Sequence, residues 1–122
     1  MISLIIPLYN ASAYLDKLLK SIQYQEEINF EYYEFIFVDN NSDDDSSNII
    51  HKFIKENCNI NVKYVFFDKK SSSYASRNCG VENSRGNILV FIDSDCILTT
   101  DYLKNLEYYK ESRSSYIIIG KV

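Results

Sequence analysis

Strand-like and helix-like stretches alternate along this chain from end to end, and that alternation restricts the folds open to it more than any other feature. Ile2 to Pro7 is a short apolar run closed by the one proline, which cannot donate to a central ladder and so marks a strand end. After Leu8-Tyr9-Asn10, Ser12 is placed to cap a helix whose face is Tyr14, Leu15, Leu18, Leu19 and Ile22, running to about Gln25. A polar turn from Glu26 to Glu31 leads to a strand, Tyr33 to Val38, ending at Asp39. A second helix is predicted from about Asp44 to Asn57, and a third strand over Asn61 to Phe67. Asp68 to Ser73 reads as a loop, followed by a helix ending near Ser84 with Gly86 as its stop. Ile88 to Ile92 reads as a strand buried on both faces. A helix from about Thr100 to Glu111, a loop from Glu111 to Ser115 and a last strand, Tyr116 to Ile119, complete the pattern. The fold class is therefore α/β: three layers, with a mostly parallel sheet between helices.

Right-handed crossovers bring all strand exits to one edge of such a sheet, where ligands of open α/β folds bind. Three polar turns should meet there: Pro7 to Asn10, Asp39 to Ser42, and Asp93-Ser94-Asp95. Acids at a strand exit suit a hard divalent cation bound to phosphate, and they equally suit the start of a helix near Thr99 or Thr100. No GxGxxG or GxxxxGK[ST] follows the first strand, which disfavours ordinary NAD binding and P-loop hydrolysis. Without a glycine cradle, a bound diphosphate would rely more heavily on a metal, and Asp93 and Asp95 supply the oxygen ligands for one.

Length and charge narrow the classes further. The 122 residues are one domain's worth of chain. The net charge of -4, without a basic stripe, disfavours nucleic acid as a partner. The start carries no basic leader, and its apolar run is too short for a membrane span, so a cytoplasmic location is expected. Cys58, Cys79 and Cys96 fit no CxxC pair or zinc pattern and read as reduced thiols.

Four motifs in order carry a family resemblance: Ile5-Ile6-Pro7-Leu8-Tyr9-Asn10, Val38-Asp39-Asn40-Asn41-Ser42, Ala75-Ser76-Arg77-Asn78-Cys79-Gly80 and Phe91-Ile92-Asp93-Ser94-Asp95. Together they resemble the family 2 glycosyltransferases with a GT-A fold, over practically the whole chain. The resemblance implies a nucleotide-sugar site, with a UDP- or GDP-sugar as donor. In it Pro7 and Tyr9 wall the base, and Asn10 belongs to the same turn. Asp39 accepts a hydrogen bond from the base, as a carboxylate can from the N–H of uracil or guanine. Arg77 pairs with base, Asp39 or phosphate. Asp93 lies near the ribose and Ser94 contacts the nucleotide sugar, while Asp95, with Asp93, holds Mg2+ or Mn2+.

Where relatives often carry Val-Asp-Asp-Gly-Ser, this chain has Asn40 and Asn41, which leaves a role for position 40 in doubt. Asn41 is expected to replace the glycine by adopting the left-handed conformation. The segment Lys69 to Tyr74 also departs from the family's Asn-x-Gly.

The family's acceptor-side half, with its general base, follows the strand that ends here at Gly120-Lys121-Val122. Residues 1–122 are thus expected to be a single donor-binding domain without that half, and no catalytic base is assigned. His51, Glu107 and Glu111 read as helix-surface or packing residues. The complete activity implied is transfer of the sugar to a hydroxyl of a glycan or lipid-linked acceptor, with inversion. A non-catalytic partner-binding domain of the same fold is the alternative. A phospho-acceptor signalling domain would need an acidic pair where Tyr9-Asn10 stand.

Overall fold

A computed structural model describes residues 1–68, 72–109 and 116–119, the last four by their backbone. The elements follow in the order β1 (Ile2–Leu8), α1 (Ser12–Gln23), β2 (Tyr33–Asp39), α2 (Ser46–Glu56), β3 (Val62–Phe66), α3 (Ser73–Glu82), β4 (Ile88–Phe91), α4 (Tyr102–Leu106) and β5 (Tyr116–Ile119), with 3-10 turns at Phe30–Tyr32 and Glu107–Tyr109. All strand pairs are parallel, in the order β3-β2-β1-β4-β5. The order reverses between β1 and β4, the position at which parallel α/β sheets open a crevice for ligands.

Period-two alternation sorts the strand residues onto two faces. Ile2, Leu4, Ile6 and Leu8 of β1, with Tyr33, Phe35 and Phe37 of β2, form one core with Leu15, Leu18 and Ile22 of α1 and Ile50 and Phe53 of α2. Leu103 and Leu106 of α4 join the same cluster. Ile5 and Val38, of the other parity, meet α3, which approaches so closely that a Cβ on Gly80 would stand 2.3 Å from Ile5 Cγ2. Gly80→Ala should therefore destabilise the fold by about 1–3 kcal/mol through overpacking, even though alanine is the better helix former. A lowered urea midpoint with an unchanged m-value would show it.

Several boundaries differ from those expected. Pro7 lies inside β1 and ends only one of its two pairings. β1 pairs with β4 through Ile5↔Phe91 and with β2 through Leu8↔Asp39. Ile92 N–H donates to Ile5 O at 3.0 Å, so the backbone of residue 7, two further on, faces the β4 side too. The donor that proline lacks is missing where β4 has already turned away. β4 is not buried on both faces either: Ile88 and Val90 are buried, whereas Leu89 and Phe91 are half-buried. α3 stops at Glu82, and Gly86 is not its terminator, since its φ is not positive. Gly86 is small because a Cβ there would meet Ser3 Oγ at 2.4 Å and Met1 O at 2.7 Å. α4 begins at Tyr102 and is one short turn. Of the expected extension to Glu111, Glu107–Tyr109 form a 3-10 turn, and residues 110–111, the loop to Ser115, the Lys69 to Ser71 part of the earlier loop and the Gly120 to Val122 end lie outside the described residues.

Two polar clusters missed in the sequence hold the sheet and the segment after β4. At the edge away from the strand exits, buried Glu34 accepts from Ser3 Oγ at 2.5 Å and from Arg85 N–H at 2.6 Å. Arg85 Nε lies 3.5 Å from its other oxygen, and Ser3 Oγ accepts in turn from Gly86 N–H at 2.8 Å. Near the end of α1, Ser21 Oγ accepts from Leu98 N–H at 3.0 Å. Gln25 donates to Thr99 O at 2.6 Å and accepts from Leu103 N–H at 2.8 Å. The chain leaving Asp95 is thereby tied down within three residues.

Candidate functional site

The turn after β1 and the turn after β2 are joined side by side. Asn10 and Asn41 both have left-handed backbone, φ 49° and 58°, a conformation that asparagine tolerates better than most residues, as expected for Asn41. Asn10 N–H donates to Ser42 Oγ at 2.9 Å, and Asn10 Oδ1 accepts from Asp43 N–H at 2.8 Å. Ser12 is not the cap of α1. Ala11 holds that position without a side-chain bond, and the helix's orphan amides are satisfied from the other turn. Ala11 N–H donates to Ser46 Oγ at 3.0 Å and Ser12 N–H to Asp44 Oδ2 at 3.0 Å. Burial opposes ionisation of Asp44, but the bonds from Ser46 and Ser12 prevail and hold its carboxyl down at about 2.

Between these joined turns and the end of β4 lies an open cavity of about 510 Å³. Pro7 lines it from β1, Tyr9 and Asn10 from the turn after it, Arg77 from α3, and Asp93, Ser94 and Asp95 from the turn after β4. These are seven of the nine residues expected at the site. Tyr9 is 51% exposed, which leaves its ring available to a flat partner. Arg77 Nη2 lies 3.4 Å from Asp93 Oδ1, and this ion pair links α3 to β4 across the cavity.

Asp39 and Asn41 are not among the lining residues. Asp39 is 1% exposed, accepting from Ser42 N–H at 2.9 Å and from the Tyr64 hydroxyl at 2.5 Å. Asn41 shapes the turn through its backbone. Asn40, the position left in doubt, does line the cavity, together with Tyr14 and Ser76. Tyr14 was expected on the core face of α1 but is 54% exposed. A tyrosine in the first turn of a helix that starts at a strand exit was the signal for it, because its polar tip tolerates solvent there. His51 lies away from the cavity, its ring 4.5 Å from that of Tyr64. Glu107 accepts from the Tyr33 hydroxyl at 3.0 Å.

The two readings of Asp93 and Asp95 now separate. The next helix is α4, capped at Asp101, so neither acid starts a helix. Ligand atoms of Asp93, Asp95 and Cys96 lie within 4.8 Å of one another, with both acids exposed and Cys96 buried. Burial, aided by the two carboxylates, pushes the Cys96 thiol up, so it stays protonated and is a poor ligand for a hard ion. The exposed carboxylate oxygens fit a hard divalent cation. All three cysteines are free, as expected. Among the described residues, no helix is long and apolar enough to cross a membrane.

Comparison with known proteins shows the family and the fold. The family model described as "Glycosyl transferase family 2" matches residues 3–122. Glycosyltransferase AglE of Haloferax volcanii is 37% identical over 95 residues, which cover 78% of this chain and 30% of that protein. The crystal structure of Staphylococcus aureus TarS 1-349 in complex with UDP-GlcNAc superposes with a TM-score of 0.79 at 27% identity, covering 88% of this chain and 30% of the other. A Pyrobaculum calidifontis mannosyltransferase, PcManGT, solved with GDP-Man and Mn2+, shares the fold with a TM-score of 0.83 at 19% identity over 92% of this chain and 32% of its own. The chain thus spans about a third of the length of these proteins.

Proposed function

The chain belongs to glycosyl transferase family 2, and from that premise we propose that its cavity is the donor site of an inverting enzyme moving a sugar from a nucleoside diphosphate to a hydroxyl of a glycan or lipid-linked acceptor. One observation carries the reading. Asp93 and Asp95, exposed and capping no helix, line the crevice where the strand order reverses, in one cavity with Tyr9 and with Arg77, which pairs with Asp93. That arrangement suits a ligand with a flat base at one end and a diphosphate at the other.

Each residue has a part in the proposal. Tyr9 offers a face to the base, with Pro7 making that wall rigid and Asn10 fixing the turn. Asp39, buried behind the cavity lining, is given the N–H of the base as its further donor, and Asn41 holds the turn that follows it. Ser94 and Asp93 lie toward the ribose. Arg77, whose planar fork matches phosphate oxygens, moves from Asp93 to the diphosphate. Asp95 and Asp93 would hold Mg2+ or Mn2+, which when bound acts as a Lewis acid toward the departing diphosphate. Among the described residues that line the cavity, Asp93 and Asp95 are the only acids, and no residue is given the role of general base. The proposal keeps a cytoplasmic location, which cell fractionation would read.

Calorimetric titration with UDP and GDP, each with and without Mn2+, tests the donor site. One nucleotide should bind, and roughly 100-fold more tightly with the metal. Affinity unchanged by a chelator overturns the metal's part. No affinity at millimolar nucleotide leaves the partner-binding alternative.

A further inference from the structure

Asp39 is buried and held by donors from two directions. Ser42 N–H reaches Oδ1 at 2.9 Å from the same turn, and the Tyr64 hydroxyl reaches Oδ2 at 2.5 Å from β3. A carboxylate has about four lone-pair sites. Two donors therefore fix its plane and still leave each oxygen able to accept once more. Tyr64 is itself held. The His51 ring of α2 packs against it at 4.5 Å with a 51° tilt, and His51 Nδ1 lies 2.7 Å from the carbonyl oxygen of Ser47, which can only accept. The next residue, Asn40, forms part of the cavity wall.

We propose that Tyr64 is a positioning residue for nucleobase recognition, its hydroxyl orienting the Asp39 carboxylate so that one remaining lone pair meets an N–H of the base. The inference rests on the reading of Asp39 as the base-facing acid. Without the hydroxyl the Asp39 side chain regains rotational freedom, and part of the base's binding energy is lost in ordering it. The phosphate end of the site does not depend on this contact.

The test uses Tyr64→Phe, which keeps the ring against His51 and removes only the hydroxyl, with Asp39→Asn as the control. The probes are UDP and its N3-methyl derivative, or GDP and its N1-methyl derivative, whichever parent nucleotide binds, together with inorganic pyrophosphate and Mn2+. Wild type should prefer the unmethylated nucleotide, and Asp39→Asn should abolish that preference. Tyr64→Phe should reduce it about tenfold while pyrophosphate affinity stays constant. Full preference retained by Tyr64→Phe but lost by Asp39→Asn overturns the role of Tyr64 and leaves that of Asp39 intact. An equal loss of pyrophosphate binding in Tyr64→Phe overturns it as well, since the hydroxyl would then support the fold generally. A wild type that binds nucleotide without preference removes the Asp39 reading, and this inference with it.

Discussion

Replacing Asp95 with alanine is expected to remove the metal-dependent part of nucleotide binding, an effect of about 3 kcal/mol or roughly 100-fold in affinity. The expectation follows from where the carboxylate stands. Asp95 is exposed at the cavity, lies outside the Arg77–Asp93 pair and caps no helix. Its loss should therefore leave the melting temperature nearly unchanged, as for most surface positions away from such features. Asp93→Ala is a less clean experiment because it also breaks the link to Arg77. Titration of UDP or GDP into Asp95→Ala with and without Mn2+ gives the answer. A variant that still gains affinity on adding metal would place the cation elsewhere.

The largest effect on stability is expected at Glu34. Alanine there leaves the Arg85 amide and the Ser3 hydroxyl without their acceptor at a position 1% exposed, and should cost about 3 kcal/mol. Burial by itself would raise the pKa of Glu34, but the bonds from Arg85 and Ser3 and the charges of Lys63 and Arg85 outweigh it, so the folded value lies below 4.5. For an acid lowered on folding, the extra stability is fully present above the unfolded value near 4.5 and is lost as the pH falls through the folded one. Wild type should therefore lose stability on acidification below about pH 4.5, and Glu34→Gln should be less stable at neutral pH with a flatter acid limb. Urea denaturation at pH 7 and across the acid range checks both statements. Equal acid sensitivity in wild type and Glu34→Gln would assign that limb to other carboxylates.

Much of this architecture could be read from local pattern, because apolar runs and helical spacing are local. Ile88 to Phe91, Tyr33 to Asp39, α2 and the Leu15, Leu18, Leu19 and Ile22 face of α1 stand close to where they were expected. The left-handed turn at Asn41 was legible for the same reason, since few residues tolerate φ near 58°. What escaped depends on groups far apart in sequence. Ser12 reads as a cap until Ser46 and Asp44, more than thirty positions on, are seen to supply α1's acceptors. Gly86 reads as a helix stop, yet its size answers to Met1 and Ser3. Asp39 reads as an open acid, and only the arrival of Tyr64 along a neighbouring strand shows it covered. Seven of the nine expected site residues meet because parallel strands deliver their exits to one edge, a rule that needs topology and no side-chain detail.

Pro7 has a consequence for how durable this crevice is. Beyond Ile5 and Phe91, two adjacent strands would ordinarily go on zipping together until a loop intervened, and closure of that kind would erase the gap. A proline in the chain has no N–H to offer, so continuing the seam past it would forfeit a ladder bond. One ladder bond on the cavity side of β1 is therefore missing by covalent structure, before any donor arrives.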